Sequence, residues 1–254
     1  MATIDFNTVP SGVTLNEERA QYLSDRAAET ATAFSRKIEK LQATVREARD
    51  NYSREADDLI ASASSEDRAT ARALAKKNAA NKAANLHRQI IASSEPERAA
   101  MLKGLKAYAD EAAAISAVYT SPAAMLGRVA LGDPKRTHLM QQLEGAGPVE
   151  LETAARTAIM TGDLVLGAAI VTVIDRRPRD RRPFAVQAFA ERALGEVWKR
   201  LNAKLEGVQL AYKSAVAADR EFVRGKADGI TNLSLALSRQ AIAEAAGDDE
   251  GGGA

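Results

Sequence analysis

One stretch of this sequence constrains the fold more than any other. Between Ala27 and Tyr52 the apolar residues Ala27, Ala31, Phe34, Ile38, Leu41, Val45, Ala48 and Tyr52 recur in alternating steps of four and three. That spacing puts all of them on one stripe of an α-helix and does not fit the alternation of a strand. After a slip at Tyr52, the residues Ala56, Leu59 and Ala63 carry the stripe on. Upstream, Thr14-Leu-Asn-Glu17 has the form of a capping box, in which the Thr14 hydroxyl takes an orphan amide of the first turn and Glu17 reaches back. A single helix is therefore predicted from Thr14 to about Ala63, roughly 70 Å long at the usual rise per residue. A sphere of 254 residues has no room for such a helix. It is expected to protrude, to bend near Ser62 to Ser65, or to pack along partners.

The kind of hydrophobe matters as much as its spacing. Hydrophobic residues make up 46% of the chain, but 53 of the 254 residues are Ala and only 4% are aromatic. Alanine is the best helix former and the poorest core filler, so the composition favours thin helical packing over a thick centre. Prolines and glycines cluster at a few places, where helices are expected to end.

Further helices follow from the same signals. Ser64-Ser-Glu-Asp67 offers a second start, and the seam behind it is read as Ala69, Ala73, Ala80 and Ala83, with large apolar residues returning at Leu86, Ile90 and Ile91. Ser94-Glu-Pro-Glu97 offers a third, with proline in a first turn, where its missing amide is harmless. Met101, Leu105, Tyr108, Ala112, Ile115 and Tyr119 then restore the four-three rhythm. Between Ser121 and Pro148 three prolines and four glycines break the chain, which makes this stretch the best internal boundary. Asp133-Pro134 can cap a short helix ending near Glu144, and Pro148 can open another. Gly162 suits a helix C-terminus and Asp163 an N-cap, so residues 148–174 read as a helical hairpin. The rival reading makes Val165 to Ile174 a buried strand. A last long helix carries Val186, Phe189, Ala190, Leu194, Trp198, Leu201, Leu205, Val208, Tyr212 and Phe222, with a break near Gly225 to Gly229 and a terminal helical segment beyond.

The fold expected is all-α: long amphipathic helices in an elongated bundle with coiled-coil-like packing. Its parts are an extended arm at 1–13, a three-helix region at 14–120, a broken linker with a short helix at 121–147, a helical region at 148–246, and a disordered acidic, Gly-rich tail at 247–254.

Charge narrows the possible partners. With 35 basic and 34 acidic residues the formal charge is +1, so no net field draws the whole chain to nucleic acid or to a membrane. The sharpest local feature is Arg176-Arg-Pro-Arg-Asp-Arg-Arg-Pro183, where Arg176, Arg177, Arg179, Arg181 and Arg182 offer forked donors to phosphates or carboxylates, on a backbone the prolines are expected to hold extended. A second basic stripe, Arg68, Arg72 and Lys76, lacks interleaved aromatics for base stacking. In both places a solvated face is the favoured reading, and nucleic acid is the alternative partner.

Chemistry-bearing motifs are absent. There is no cysteine, which excludes disulfides and thiolate chemistry. His87 and His138 are the only histidines, and neither has a second ligand at metal spacing, so no metal or cofactor is expected. Gly145-Ala-Gly147 lacks the strand and helix that a dinucleotide fingerprint requires. No secretory leader is evident in residues 1–13. The longest apolar run, Leu164 to Ile174, is about half of the roughly 20 residues a spanning helix needs.

The expectation is a non-enzymatic structural or assembly protein acting by helix packing. It would be a homo-oligomer whose seam uses Phe34, Ile38, Leu41, Val45 and Tyr52, in the cytoplasm of a bacterial host or in a virion. Alanine richness, Arg over Lys at 23 to 12, and the lack of cysteine suggest a phage virion or capsid-assembly component: a scaffold, head or tail structural protein. The alternatives are a nucleic-acid-binding protein using residues 176–183 and a helical enzyme with an unrecognised carboxylate site.

Overall fold

The computed structural model describes residues 17–247. The Thr14 cap, the arm at 1–13 and the tail beyond Gly247 lie outside the described residues. Within them the chain is all-α: α1 (Glu17–Ser62), α2 (Arg68–Val118), α3 (Pro122–Leu126), α4 (Pro134–Glu144), α5 (Pro148–Thr161), α6 (Leu164–Asp175), a 3-10 turn (Arg179–Arg181), α7 (Val186–Arg224) and α8 (Gly229–Gly247). No strand occurs among the described residues. Two compact units are drawn from this order. The first takes the chain up to Ser24, then 110–207, then the chain from Gln240; the second takes 25–109 and 208–239.

At the centre of the first unit is α6. Gly167, Ala168, Ala169, Ile170, Val171, Val173 and Ile174 are all buried, so this helix is covered round almost its whole circumference. The segment that could have been a strand is a helix because Gly162 and Asp163 set its start. Gly162 has φ 66, which ends α5, and the Asp163 carboxylate accepts the amides of Val165 and Leu166, each at 3.0 Å. Around α6 pack α3, α4 and α5, and Leu126, Leu151, Phe189 and Leu194 complete the cluster. Each large side chain sealed there contributes about 1.5–3 kcal/mol. Gly167 lets Leu126 approach closely, since a Cβ on it would lie 3.3 Å from Leu126 Cδ1.

The stretch 121–147, expected as a linker, belongs to this packed unit. Its short helices start as the sequence indicates: Ser121 caps α3, and Asp133 with Pro134 opens α4, which ends at Glu144. Buried Arg136 holds the turns between them. Its Nη1 donates to the Val129 carbonyl (2.7 Å), and its Nη2 donates to the Gly127 carbonyl and Thr172 Oγ1 (both 2.8 Å). Trp198 is half-buried, and its Nε1 donates to the Tyr119 carbonyl at 3.0 Å, just past the end of α2.

In the second unit α1 and α2 form an antiparallel hairpin, tied by Lys37 to Glu97 (2.5 Å) and Lys82 to Glu55 (3.0 Å). The long helix therefore ends at Ser62 and the chain reverses. The α7 segment lies antiparallel to α2, with Arg98 donating to Asp219 and His87 Nε2 donating to the Phe222 carbonyl at 3.0 Å. Helix α8 folds back along α7, where Arg239 donates to Ser214 Oγ at 3.1 Å.

Three sequence expectations fail here for identifiable reasons. Ser94 does not start a third helix, because α2 runs through Pro96. Proline weakens the helical ladder ahead of it, and side chains serve carbonyls there: the Ser94 hydroxyl donates to Ile90 O (2.6 Å) and Arg98 Nη2 to Ile91 O (3.2 Å). The start of α2 has a different inner face from the one read. Ala75 is buried and Ala71, Ala79 and Ala83 are half-buried, whereas Ala69, Ala73 and Ala80 are exposed. Alanines all round a helix leave its rotational phase undefined. Past Tyr52 the α1 stripe continues through Ala56 and Ile60, and Leu59 is 63% exposed, because the helix keeps stepping by four.

Candidate functional site

The arginine segment is folded tightly onto the end of α6. Arg176 caps that helix, its amide bonded to the Thr172 carbonyl at 3.3 Å. The backbone is not extended across the segment: it closes one 3-10 turn at Arg179–Arg181. Two of the five guanidiniums serve the fold. Arg177 Nη2 donates to the Ala146 carbonyl (2.7 Å) and the Glu144 carbonyl (3.3 Å), pinning the turn between α4 and α5. Arg182 donates to the Arg177 carbonyl and to both the carbonyl and carboxylate of Asp175. Arg182 thus meets a carbonyl at the end of α6 and the negative end of its dipole, and Arg177 meets carbonyls at the end of α4. Arg176, Arg179 and Arg181 are exposed and have no partner among the described residues.

The α1 seam is partly consumed within the chain. Phe34 and Ile38 are buried, at 0% and 3% exposure, so neither is available to a second copy. Leu41, Val45 and Tyr52 are half-buried. A more exposed apolar stripe lies on α8: Ile230, Leu233 and Leu237 are 85%, 63% and 59% exposed. Their spacing of three and four puts them on one face, while Thr231 and Leu235 are partly covered. The start of α8 is firmly built. Glu221 Oε1 accepts the Asp228 amide (2.7 Å) and the Asn232 side chain (2.8 Å), and Asp228 Oδ1 accepts the Thr231 amide (3.2 Å). The Thr231 amide, then its hydroxyl, holds the Asp228 carboxyl below the usual range.

Three open grooves mark the second unit. The first, about 490 Å³, is lined by Val45, Arg49, Asp57, Lys76 and His87 among others. The second, about 360 Å³, is lined by Arg46, Arg49, His87, Glu221, Phe222 and Lys226. The third, about 600 Å³, lies between α7 and α8 and is lined by Arg220, Glu221, Arg224, Lys226, Asp228 and Leu235. The sequence gives no sign of the first two grooves, which join residues far apart along the chain, whereas the third is built from residues 212–235 alone.

The other histidine is exposed and bonds Gln142 through its Nε2 at 2.9 Å. No group of three or more His, Asp or Glu able to hold a metal occurs among the described residues. No helix among them is long and apolar enough to cross a membrane. The chain matches no protein-family model, no curated protein and no solved structure.

Proposed function

We propose that this chain is a non-enzymatic structural or assembly protein that works by packing helices against other copies of itself. The observation that carries this reading is the outer stripe of α8. Ile230, Leu233 and Leu237 stand in water on a helix whose start is fixed by Asp228 and Glu221. Covering three such side chains would gain about 1.5–3 kcal/mol each, which works towards association and against its loss of translational and rotational freedom. Leu41, Val45 and Tyr52 offer a second, weaker strip. The finer reading, a phage virion or capsid-assembly component such as a scaffold, head or tail protein, is supported by composition: alanine-rich, cysteine-free and helical.

Light scattering coupled to size exclusion over a wide concentration range tests the assembly. The expected mass exceeds the 27.1 kDa of one chain and falls to it in a Leu233→Glu/Leu237→Glu variant. A monomer at every concentration removes the reading. Capsid, portal or tail genes beside this one would support the finer reading, and their absence would count against it.

A further inference from the structure

We propose that the second unit binds a phosphate polyanion, the backbone of a nucleic acid, along its three grooves. The grooves adjoin one another. Val45, Arg49 and His87 line both the first and the second, and Glu221 and Lys226 line both the second and the third. Taken together as one track, these adjoining grooves carry Arg46 and Arg49 from α1, Lys76 from α2, Arg220 from α7 and Lys226 from the link to α8.

None of these five cations has a carboxylate partner among the described residues. Elsewhere in the same unit Lys37, Lys82 and Arg98 are each paired with an acid. The acids that line the track are mostly committed: Glu221 and Asp228 spend hydrogen-bonding capacity on the start of α8, and Asp228 lies beside Arg224. Asp57 alone remains, at one end of the track. Lys213 and Arg224 line it as well, so seven cations face three carboxylates and an excess of positive charge is left along a concave path.

At the junction of the first two grooves His87 uses Nε2 for the Phe222 carbonyl, which leaves Nδ1 as its unengaged ring nitrogen. The neighbouring residue is Gly225, with φ 66; a Cβ there would lie 3.4 Å from His87 Cε1. A residue without a side chain keeps that edge of the imidazole open.

The form of the track selects the ligand. Exposed cations on long stems along open grooves suit a strand with repeating charge better than a small molecule, which needs enclosing, convergent donors. Their concave arrangement suits a strand better than a planar bilayer. Phe222 is buried and offers no stacking face, and half-buried Tyr212 in the third groove could stack on any base, so binding is expected to be indifferent to base sequence.

The test is fluorescence anisotropy of a labelled single-stranded oligonucleotide with the full chain, titrated across salt. With about four phosphate contacts, affinity should fall about 50-fold between about 50 and about 200 mM salt. An Arg46→Ala/Arg49→Ala/Arg220→Ala/Lys226→Ala variant should bind at least about tenfold more weakly at low salt and lose most of the slope. Should that variant unfold, Arg49→Gln and Lys226→Gln carry the test singly, each lowering the slope by about 0.7. The proposal is overturned if nothing binds at low salt, or if these variants bind like the parent. It is equally overturned if Arg176→Ala/Arg179→Ala/Arg181→Ala abolishes binding instead, or if phosphatidylserine vesicles at matched charge bind more tightly than the oligonucleotide. The assembly reading is judged by mass and this one by salt slope, so either can fail alone.

Discussion

Arg98 and Asp219 form an ion pair between α2 and α7, with the arginine side chain 4% exposed and the aspartate 21%. The same guanidinium donates from Nε to Ser94 Oγ at 3.1 Å and lies over the Phe222 ring, 5.3 Å from its centre. One residue thus joins the proline turn of α2 to the end of α7. Breaking a buried pair costs more than the pair is worth, because the survivor keeps an uncompensated charge. Arg98→Met or Asp219→Asn should each lower the unfolding free energy by about 2–4 kcal/mol in urea titration. The double replacement Arg98→Met/Asp219→Leu should cost clearly less than the two single losses added together. Strict additivity would show that the two charges do not act as a unit.

Pro96 sits inside α2, where proline costs about 3 kcal/mol relative to alanine in an ordinary helix. Its missing amide leaves the Ala92 carbonyl without a helical donor, while Ser94 and Arg98 brace the turn before it through the carbonyls of Ile90 and Ile91. Pro96→Ala should therefore stabilise the fold, by about 1–2 kcal/mol in the same titration. A loss of stability would mean that the packing of Arg98 on Asp219 depends on the bend.

Asp163 is the N-cap of α6, and its carboxyl is held below the usual range, first by the Leu166 amide and then by Lys135 and the Val165 amide, against some burial. A depressed folded value means that this stability is present above the unfolded pKa and is lost as pH falls through the folded one. Asp163→Ala should cost about 1–2 kcal/mol at neutral pH. Its deficit should shrink as pH falls below about 4, where an unfolded aspartate takes up its proton. Asp163→Asn, still a good cap, should cost only a few tenths of a kcal/mol and remove that pH dependence. Thermal melts across pH measure both.

Arg136 is 5% exposed, and burial pushes its guanidinium below the ordinary value. It answers two carbonyls and a hydroxyl from different turns, which a planar fork can do and a flexible ammonium cannot. Arg136→Lys should lose about 1–2 kcal/mol and Arg136→Met about 2–4 kcal/mol. Equal stability of the lysine variant and the parent would refute the fork argument.

How far the sequence speaks depends on how local the cause is. The ends of α4, α5 and α6 are legible because Asp133, Pro134, Pro148, Gly162 and Asp163 act on amides and carbonyls within one turn. The α7 stripe is legible because large apolar residues mark one face. In α2 alanines cover every face up to Leu86, so the spacing of Ala71, Ala75 and Ala79 cannot be told from that of its neighbours. Pro96 misleads because the helix is held through it by packing that includes Arg98, whose own partner lies 121 residues away.

The candidate sites divide along the same line. The five arginines at 176–182 stand out as charge in the sequence, yet nothing local reveals that Arg177 turns towards the carbonyl of Ala146, 31 residues earlier. The grooves are less legible still. Arg46, His87 and Lys226 share a wall only once three helices have met.

Both units are stitched from distant stretches of chain, and that bears on how the protein is made. As α1 leaves the ribosome, Ala20 and Leu23 have no covering surface until residues beyond 110 have been translated, and Phe34 waits for its own unit to be completed from 208 onward. The core around α6 can close once residue 197 is made, because its members all lie between 123 and 197, whereas the apolar faces of α1 and α2 wait for the later stretches of their units. A nascent chain of this design depends on the helix-forming strength of its alanines, which lets long helices form early and shelter their backbones while the side chains that seal them are still being made.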